Sequence, residues 1–172
     1  MLTGKEVYLR GVEKKDIAFF YKIWCDDEVR NYDISFIIPP GREFIMDNFN
    51  RFMSLSRKYL SIVSKREELL GYITYEEAKD CPNVYMIGIT LDKAYWNLGY
   101  GRDAIEVLLS YLFMSRAAKR VELEVADFNE RAIKCYNACG FVQEGVMRNR
   151  FFSRGSYHGL IIMSILNEEF VP

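Results

Sequence analysis

Two glycines one residue apart, Gly99 and Gly101, stand just before a long apolar-periodic segment, in the run Tyr95-Trp96-Asn97-Leu98-Gly99-Tyr100-Gly101-Arg102-Asp103-Ala104. Glycine lets a backbone turn tightly and come close to a ligand. No proline falls between Asn97 and Asp103, so every amide there keeps its N–H. The start of the following helix adds unpaired N–H groups and a partial positive charge. Together these make a cradle for a pyrophosphate. The spacing is not that of a P-loop, because no Lys-Ser/Thr pair follows Gly101, and the loop lies too far past its strand for a dinucleotide fingerprint. Turn chemistry alone also accounts for a lone Gly-x-Gly. A second set of residues can move protons. Glu76 and Glu77 end one strand, and Glu122 and Glu124 share a face of another. Such carboxylates can take a proton from an attacking group, and a solvated strand face explains them equally well. His158 is the single histidine, the side-chain type most used for proton transfer near neutral pH, and a surface residue explains it equally well.

The elements that must position these residues follow from periodicity. Val7 to Arg10 reads as a first strand. Asp16 is expected to cap a helix through about Asp26, with Ile17, Phe20, Ile23 and Trp24 on one face. Asn31 to Pro40 reads as a loop. A second helix follows, with Phe44, Ile45, Phe49, Phe52 and Met53 as its apolar face. Leu60 to Val63 and Leu69 to Tyr75 read as antiparallel strands joined by the polar turn Lys65-Arg66-Glu67-Glu68. Tyr85 to Leu91 is another strand, with Gly88 marking a bulge or a close approach. A helix from about Gly101 to Ser115 carries Ile105, Leu108, Leu109 and Leu112. Val121 to Val125 alternates as a half-exposed strand does. Asn129 caps a short helix through Ala138, ended by Gly140 as a C′ glycine. Phe141 to Val146 and Leu160 to Leu166 complete the strands. The expected fold is mixed α/β: one central, mostly antiparallel sheet flanked by helices, with residues 1–172 as a single domain.

Composition bounds the function. The chain of 172 residues is 50% apolar and 15% aromatic, enough for one substantial core. A net charge of −1 without a basic stripe disfavours nucleic acid, while Arg148, Arg150 and Arg154 leave a local cationic site open. No run of about 18 apolar residues exists, so no membrane span is expected. Cys25, Cys81, Cys135 and Cys139 lack paired metal spacings, so no metal is expected, and a reducing, cytoplasmic compartment is. Cys135 and Cys139 read as small packing residues on a helix.

Three blocks resemble the GNAT superfamily of N-acetyltransferases. Gly99-Tyr100-Gly101 is similar to the Q/R-x-x-G-x-G/A loop that holds the pyrophosphate of acetyl-coenzyme A, with Trp96 where that loop usually begins with Gln or Arg. Asn129-Glu130-Arg131-Ala132-Ile133-Lys134-Cys135-Tyr136, followed by Gly140-Phe141, resembles the N-x-x-A-x-x-x-Y and G-F signature. Glu144-Gly145-Val146-Met147-Arg148 and Met163-Ser164-Ile165-Leu166 resemble the branch of ribosomal-protein N-terminal and spermidine acetyltransferases. The blocks cover roughly the second half of the chain.

The resemblance implies the GNAT fold and acetyl transfer from acetyl-coenzyme A to a primary amine by direct attack. The acceptor would be a protein N-terminus or a small amine such as a polyamine. It implies that Ile89, Thr90, Leu91, Leu98, Gly99, Tyr100, Gly101, Arg102, Asn129 and Tyr136 hold the coenzyme. It further implies that a backbone amide of the Gly88–Leu91 strand meets the oxyanion. Tyr136 would be the general acid for the leaving thiolate, since a phenol near pKa ~10 stays protonated at neutral pH. Glu76 and Glu122, with Glu124 beside them, are the candidate bases. Met86 stands where many relatives carry glutamate, which leaves a catalytically silent coenzyme A-binding regulatory module as the alternative. A mononucleotide site built on the glycine loop alone is a third reading. Asp26, Asp27, Glu28 and Asp33 would offer carboxylates to a polyamine. Relatives are often dimers, and a homodimer is expected on that ground.

Overall fold

The computed structural model describes residues 1–32, 39, 41–53 and 56–171, with the backbone alone at 51 and 52. The expected 31–40 loop therefore falls largely outside the described residues, as do Asp33 and the Phe52 side chain.

The chain is organised on an eight-stranded sheet in the order β1-β2-β3-β4-β5-β6-β8-β7. The strands are β1 (Leu2–Thr3), β2 (Val7–Gly11), β3 (Lys58–Ser64), β4 (Leu69–Glu77), β5 (Val84–Leu91), β6 (Arg120–Ala126), β7 (Val142–Ser153) and β8 (Ser156–Leu166). All neighbours are antiparallel except β5 and β6, which are parallel. The helices are α1 (Ile17–Cys25), α2 (Asp27–Arg30), α3 (Arg42–Asp47), α4 (Phe49–Met53), α5 (Tyr100–Ser115) and α6 (Glu130–Ala138).

Side chains alternate along β4 and so divide the molecule into two layers. Ile73 packs into the core made with Ala104, Ile105, Leu108, Leu109 and Leu112 of α5, all 0% exposed. Their i, i+3, i+4 spacing turns one helix face inward, and each leucine or isoleucine buried there contributes about 1.5–3 kcal/mol. Tyr72 points the other way, toward Ile17, Phe20 and Ile23 of α1. The α5–α6 layer and the α1–α4 layer thus cover opposite faces.

The parallel pair positions the site. β5 meets β6 only through Val84–Arg120, Tyr85–Val121 and Met86–Glu122. Beyond Met86, β5 stays with β4 as far as the Gly71–Leu91 pair, whereas β6 stays with β8 as far as Ala126–Leu160. The two strands splay apart, and from Ile87 onward one edge of β5 has no strand partner among the described residues.

Three expectations need correction. Asp16 is not a side-chain cap. Its buried carboxylate accepts both Arg10 guanidinium nitrogens (2.7 and 2.9 Å), the Ser61 hydroxyl (2.7 Å) and the Glu13 N–H (2.9 Å). The second helix is two short ones, α3 and α4, separated at Asn48. There Asn48 Nδ2 donates to the Phe44 carbonyl at 2.9 Å, offering the backbone a rival to the helix ladder, and Phe44 is exposed rather than core. The last two strands form a hairpin much longer than their apolar cores. Its register jumps from Met147–Leu160 to Phe151–His158, and Asn149 and Arg154 take φ of 51° and 49°. Irregular pairing of that kind breaks the period of two on which strand recognition depends. Arg148, Arg150 and Arg154 are exposed along it.

Candidate active site

The splay opens a cavity of about 810 Å³ that runs from the α5 N-terminus, between β5 and α6, to the aromatic face of α1 and β4. Ile89, Thr90, Leu91, Gly99, Gly101, Arg102, Asn129 and Tyr136 all line it. Leu98 and Tyr100 do not. Leu98 is 59% exposed, and Tyr100 packs edge-on to Tyr95.

The glycine cradle is built by backbone conformation. Gly99 is the N-cap of α5 with φ 85°, and Asn97 before it has φ 61°. The first helical bond runs from the Asp103 N–H to the Gly99 carbonyl (3.1 Å), so the N–H groups of Tyr100, Gly101 and Arg102 precede it and need other acceptors. No side chain caps this end. Trp96 Nε1 donates to the Leu91 carbonyl at 3.0 Å and folds the loop back onto β5. Asp103 faces away from the cradle. Its carboxylate accepts the N–H groups of Lys5 (3.0 Å), Glu6 (2.7 Å) and Val7 (2.8 Å), tying the start of the chain to the first turn of α5. Arg102 pairs with Glu106 at 2.7 Å, and that hydrogen bond raises its pKa.

On the other wall, α6 is held at both ends. Asn129 Oδ1 accepts the Ala132 N–H (3.2 Å) as its N-cap. At the far end Gly140 has φ 90°, its N–H donates to Asn137, and the Phe141 N–H donates to Tyr136, both at 3.1 Å. This is a Schellman motif, with the accompanying apolar contact between Phe141 and Tyr136, whose ring centroids are 5.9 Å apart. The motif that stops the helix thereby seats Tyr136. A Cβ at Gly140 would lie 3.1 Å from Ile165 Cδ1 as well as in the left-handed region. Gly140→Ala is expected to cost about 1–2 kcal/mol and to lower Tm by about 3–6 °C in a calorimetric scan.

Tyr136 is 7% exposed, and burial drives its pKa well above that of a free phenol. Its hydroxyl has no hydrogen-bond partner among the described residues. Tyr136 lines the cavity, which brings its ring to the wall opposite β5.

The three candidate carboxylates separate. Glu76 sits opposite Met86 and pairs with Arg57 at 3.0 Å, and it does not line the cavity. Glu122 is bound by Arg120, which also reaches Glu144 at 2.7 Å, and it too is absent from the lining. Glu124, one step further along β6 past the last β5 pair, does line it. His158 lies outside, against Phe128 (4.7 Å between centroids), with Ser156 Oγ at 2.9 Å.

The far end of the cavity is aromatic. Phe20, Trp24 and Tyr72 line it, and Trp24 Nε1 donates to the Tyr72 hydroxyl at 2.9 Å. Sequence reasoning missed this end because its residues come from separate elements. It also passed over Arg131, which lines the cavity with its guanidinium carbon 3.5 Å from the Trp96 ring centroid and 4.9 Å from that of Tyr32. The available signal was its place inside the Asn129–Tyr136 block. Cys139 is buried as expected, but Cys135 lines the cavity. Among the described residues no helix is long and apolar enough to cross a membrane.

Residues 6–142 match the family model described as acetyltransferase (GNAT) domain. The chain is 26% identical to the N-acetyltransferase p20 of Bacillus licheniformis over 98% of this chain and 97% of that one. It is 23% identical to the spermidine N(1)-acetyltransferase of Vibrio cholerae over 98% and 97%. Among solved structures, the spermidine N-acetyltransferase of Vibrio cholerae in complex with CoA and spermine superposes with a TM-score of 0.86 at 22% identity, covering 95% of this chain and 96% of that one. A GNAT-family acetyltransferase from Bacillus anthracis gives 0.84 at 20%, covering 98% and 99%. At these identities the superpositions show a shared fold.

Proposed function

Because the chain belongs to the acetyltransferase (GNAT) domain family, as an acetyl-coenzyme A-dependent N-acetyltransferase, we propose that it acetylates a primary amine by direct attack within the splayed cavity. The observation that carries this reading is the continuous wall from the cradle at Gly99–Arg102, along the open edge of β5, to Tyr136. A pyrophosphate would take the first N–H groups of α5. The pantetheine arm would add to β5 at Ile89–Leu91 as an extra strand does, with Asn129 on the opposite wall. The thioester would then lie between a β5 amide, which meets the developing oxyanion, and Tyr136.

In the reaction the amine nitrogen bonds to the thioester carbon, the carbon–sulfur bond breaks, and the amine gives up a proton. Glu124 is the cavity carboxylate that would receive that proton, directly or through one water. Tyr136 would donate to the departing sulfur. The burial that keeps it protonated also makes it a weaker acid, so its main work is hydrogen bonding to the thiolate. With Glu124 in the wall, the motive for a silent coenzyme A module, Met86 in place of glutamate, loses its force.

Thermal-shift titration tests the donor. Acetyl-coenzyme A at about 100 times its Kd should stabilise the fold by about 2.7 kcal/mol, and ATP and NAD should not. Release of free thiol across an amine panel then reads turnover. An equal shift with ATP, or thiol release that no amine accelerates, would overturn the assignment.

A further inference from the structure

Resting on the transferase reading above, we propose that the acceptor amine carries a carboxylate, as an amino acid does, and that Arg131 holds that carboxylate. Arg131 lines the cavity, seated on the Trp96 and Tyr32 rings, and makes no ion pair among the described residues. Burial lowers its pKa, and Glu28 acts on it only from beyond ion-pair distance. Arg131 is half-buried, and a guanidinium drawn from water with no ion-pair partner among the described residues is costly unless a ligand supplies the counter-charge. Its guanidinium carbon lies 3.5 Å from the Trp96 ring centroid, no described residue accepts from its N–H groups, and a guanidinium fork takes a carboxylate through two parallel bonds.

The rest of the wall points the same way. Arg30 also lines the cavity without an acid partner among the described residues. The other two cavity arginines are already neutralised, Arg57 by Glu76 and Arg102 by Glu106. Glu124 is the one carboxylate in the described lining. The acids that the sequence offered to a polyamine are engaged elsewhere or outside the description. Asp26 caps α2 and pairs with Lys93 at 3.0 Å, and Glu28 pairs with the same lysine at 3.3 Å. Asp27 is exposed and absent from the lining, and Asp33 lies outside the described residues. Among the described residues, one negative lining group and two arginines without an acid partner complement an acceptor with one amine and one anion. A polycation would meet like charge instead. Phe20, Trp24 and Tyr72 leave room beside these groups for an apolar side chain.

The experiment measures kcat/KM by thiol release for the amino acids, each beside its carboxamide, and for spermidine. The wild type, Arg131→Gln and Arg131→Lys are compared, with their melting temperatures. At least one amino acid should exceed its amide about tenfold. Arg131→Gln should cost that acid about tenfold more than it costs the amide, with Arg131→Lys in between. The wild-type ratio of acid to amide stands even where a variant fails to fold. Amides or spermidine outpacing every acid would overturn the proposal. So would an Arg131→Gln defect confined to the KM of acetyl-coenzyme A and equal for every amine, since the anion would then be a coenzyme phosphate. Failure of the transferase reading looks different: no amine accelerates thiol release. Calorimetric titration with the N-acetyl amino acids and their amides then decides separately. Tighter binding of the acids, lost in Arg131→Gln, sustains the carboxylate site, and equal binding removes it.

Discussion

Tyr136→Phe should lower kcat by about 10²–10⁴-fold while leaving the KM for acetyl-coenzyme A within about threefold. The hydroxyl makes no hydrogen bond to the described residues, so its loss should leave the fold nearly untouched. The expected change in stability is within about 0.5 kcal/mol. That combination separates chemistry from packing. An aromatic that merely fills space beside Phe141 would keep turnover as phenylalanine. The defect should shrink with a thioester whose leaving thiol is more acidic, because such a thiolate needs less help to depart. Steady-state rates with two acyl donors of different leaving-group acidity, together with a melting scan, check all three points. Full turnover by the phenylalanine variant would sink the assignment.

Glu124→Gln should cut kcat/KM by about 10²–10³-fold for acceptors whose amine is protonated at the assay pH, and much less as pH approaches the pKa of the amine. The sign follows from the role: a general base is most needed where the amine arrives charged. Glu76→Gln and Glu122→Gln release Arg57 and Arg120 from ion pairs that are at least a quarter exposed, pairs of a kind that contribute little. Their rates should stay within about threefold of wild type on that account. Rate–pH profiles of the three variants side by side make the comparison. A loss in either as large as that in Glu124→Gln would return the base to that residue.

The cofactor half of this cavity is legible in the sequence because its determinants are local. Gly99 caps α5 and Gly101 lies in its first turn, and Asn129, Tyr136, Gly140 and Phe141 span one helix with its cap and its stop. Each works through neighbours within about a turn, so residue type and spacing suffice. The acceptor half is illegible for the opposite reason. Trp24, Tyr72 and Arg131 come together only through the packing of α1, β4 and α6 around the sheet. Alternation places Glu122 and Glu124 on one face of β6, yet it is the end of β5 pairing at Met86–Glu122 that turns the second into a cavity residue and leaves the first beside Arg120. Asp16 shows the limit of local rules. Its position before an apolar-periodic run is that of a cap, but Arg10 and Ser61, brought up by two strands, claim the carboxylate. The terminal hairpin hides its length in two left-handed residues and an irregular register.

The unpaired edge of β5 has a consequence for the molecule's relations with its own kind. A strand edge with free N–H and C=O groups is a template to which other chains add themselves, which is why proteins blunt or cover the edges at the rims of their sheets. Here the edge lies in mid-sheet, inside a wedge that closes at Met86–Glu122 and has β6 and α6 as its far wall. An invading polypeptide strand would have to bring side chains on both of its faces into that gap. A slender, unbranched arm meets no such obstacle. The molecule can therefore keep an adhesive edge permanently exposed to a small ligand while remaining inert toward the strands of its neighbours.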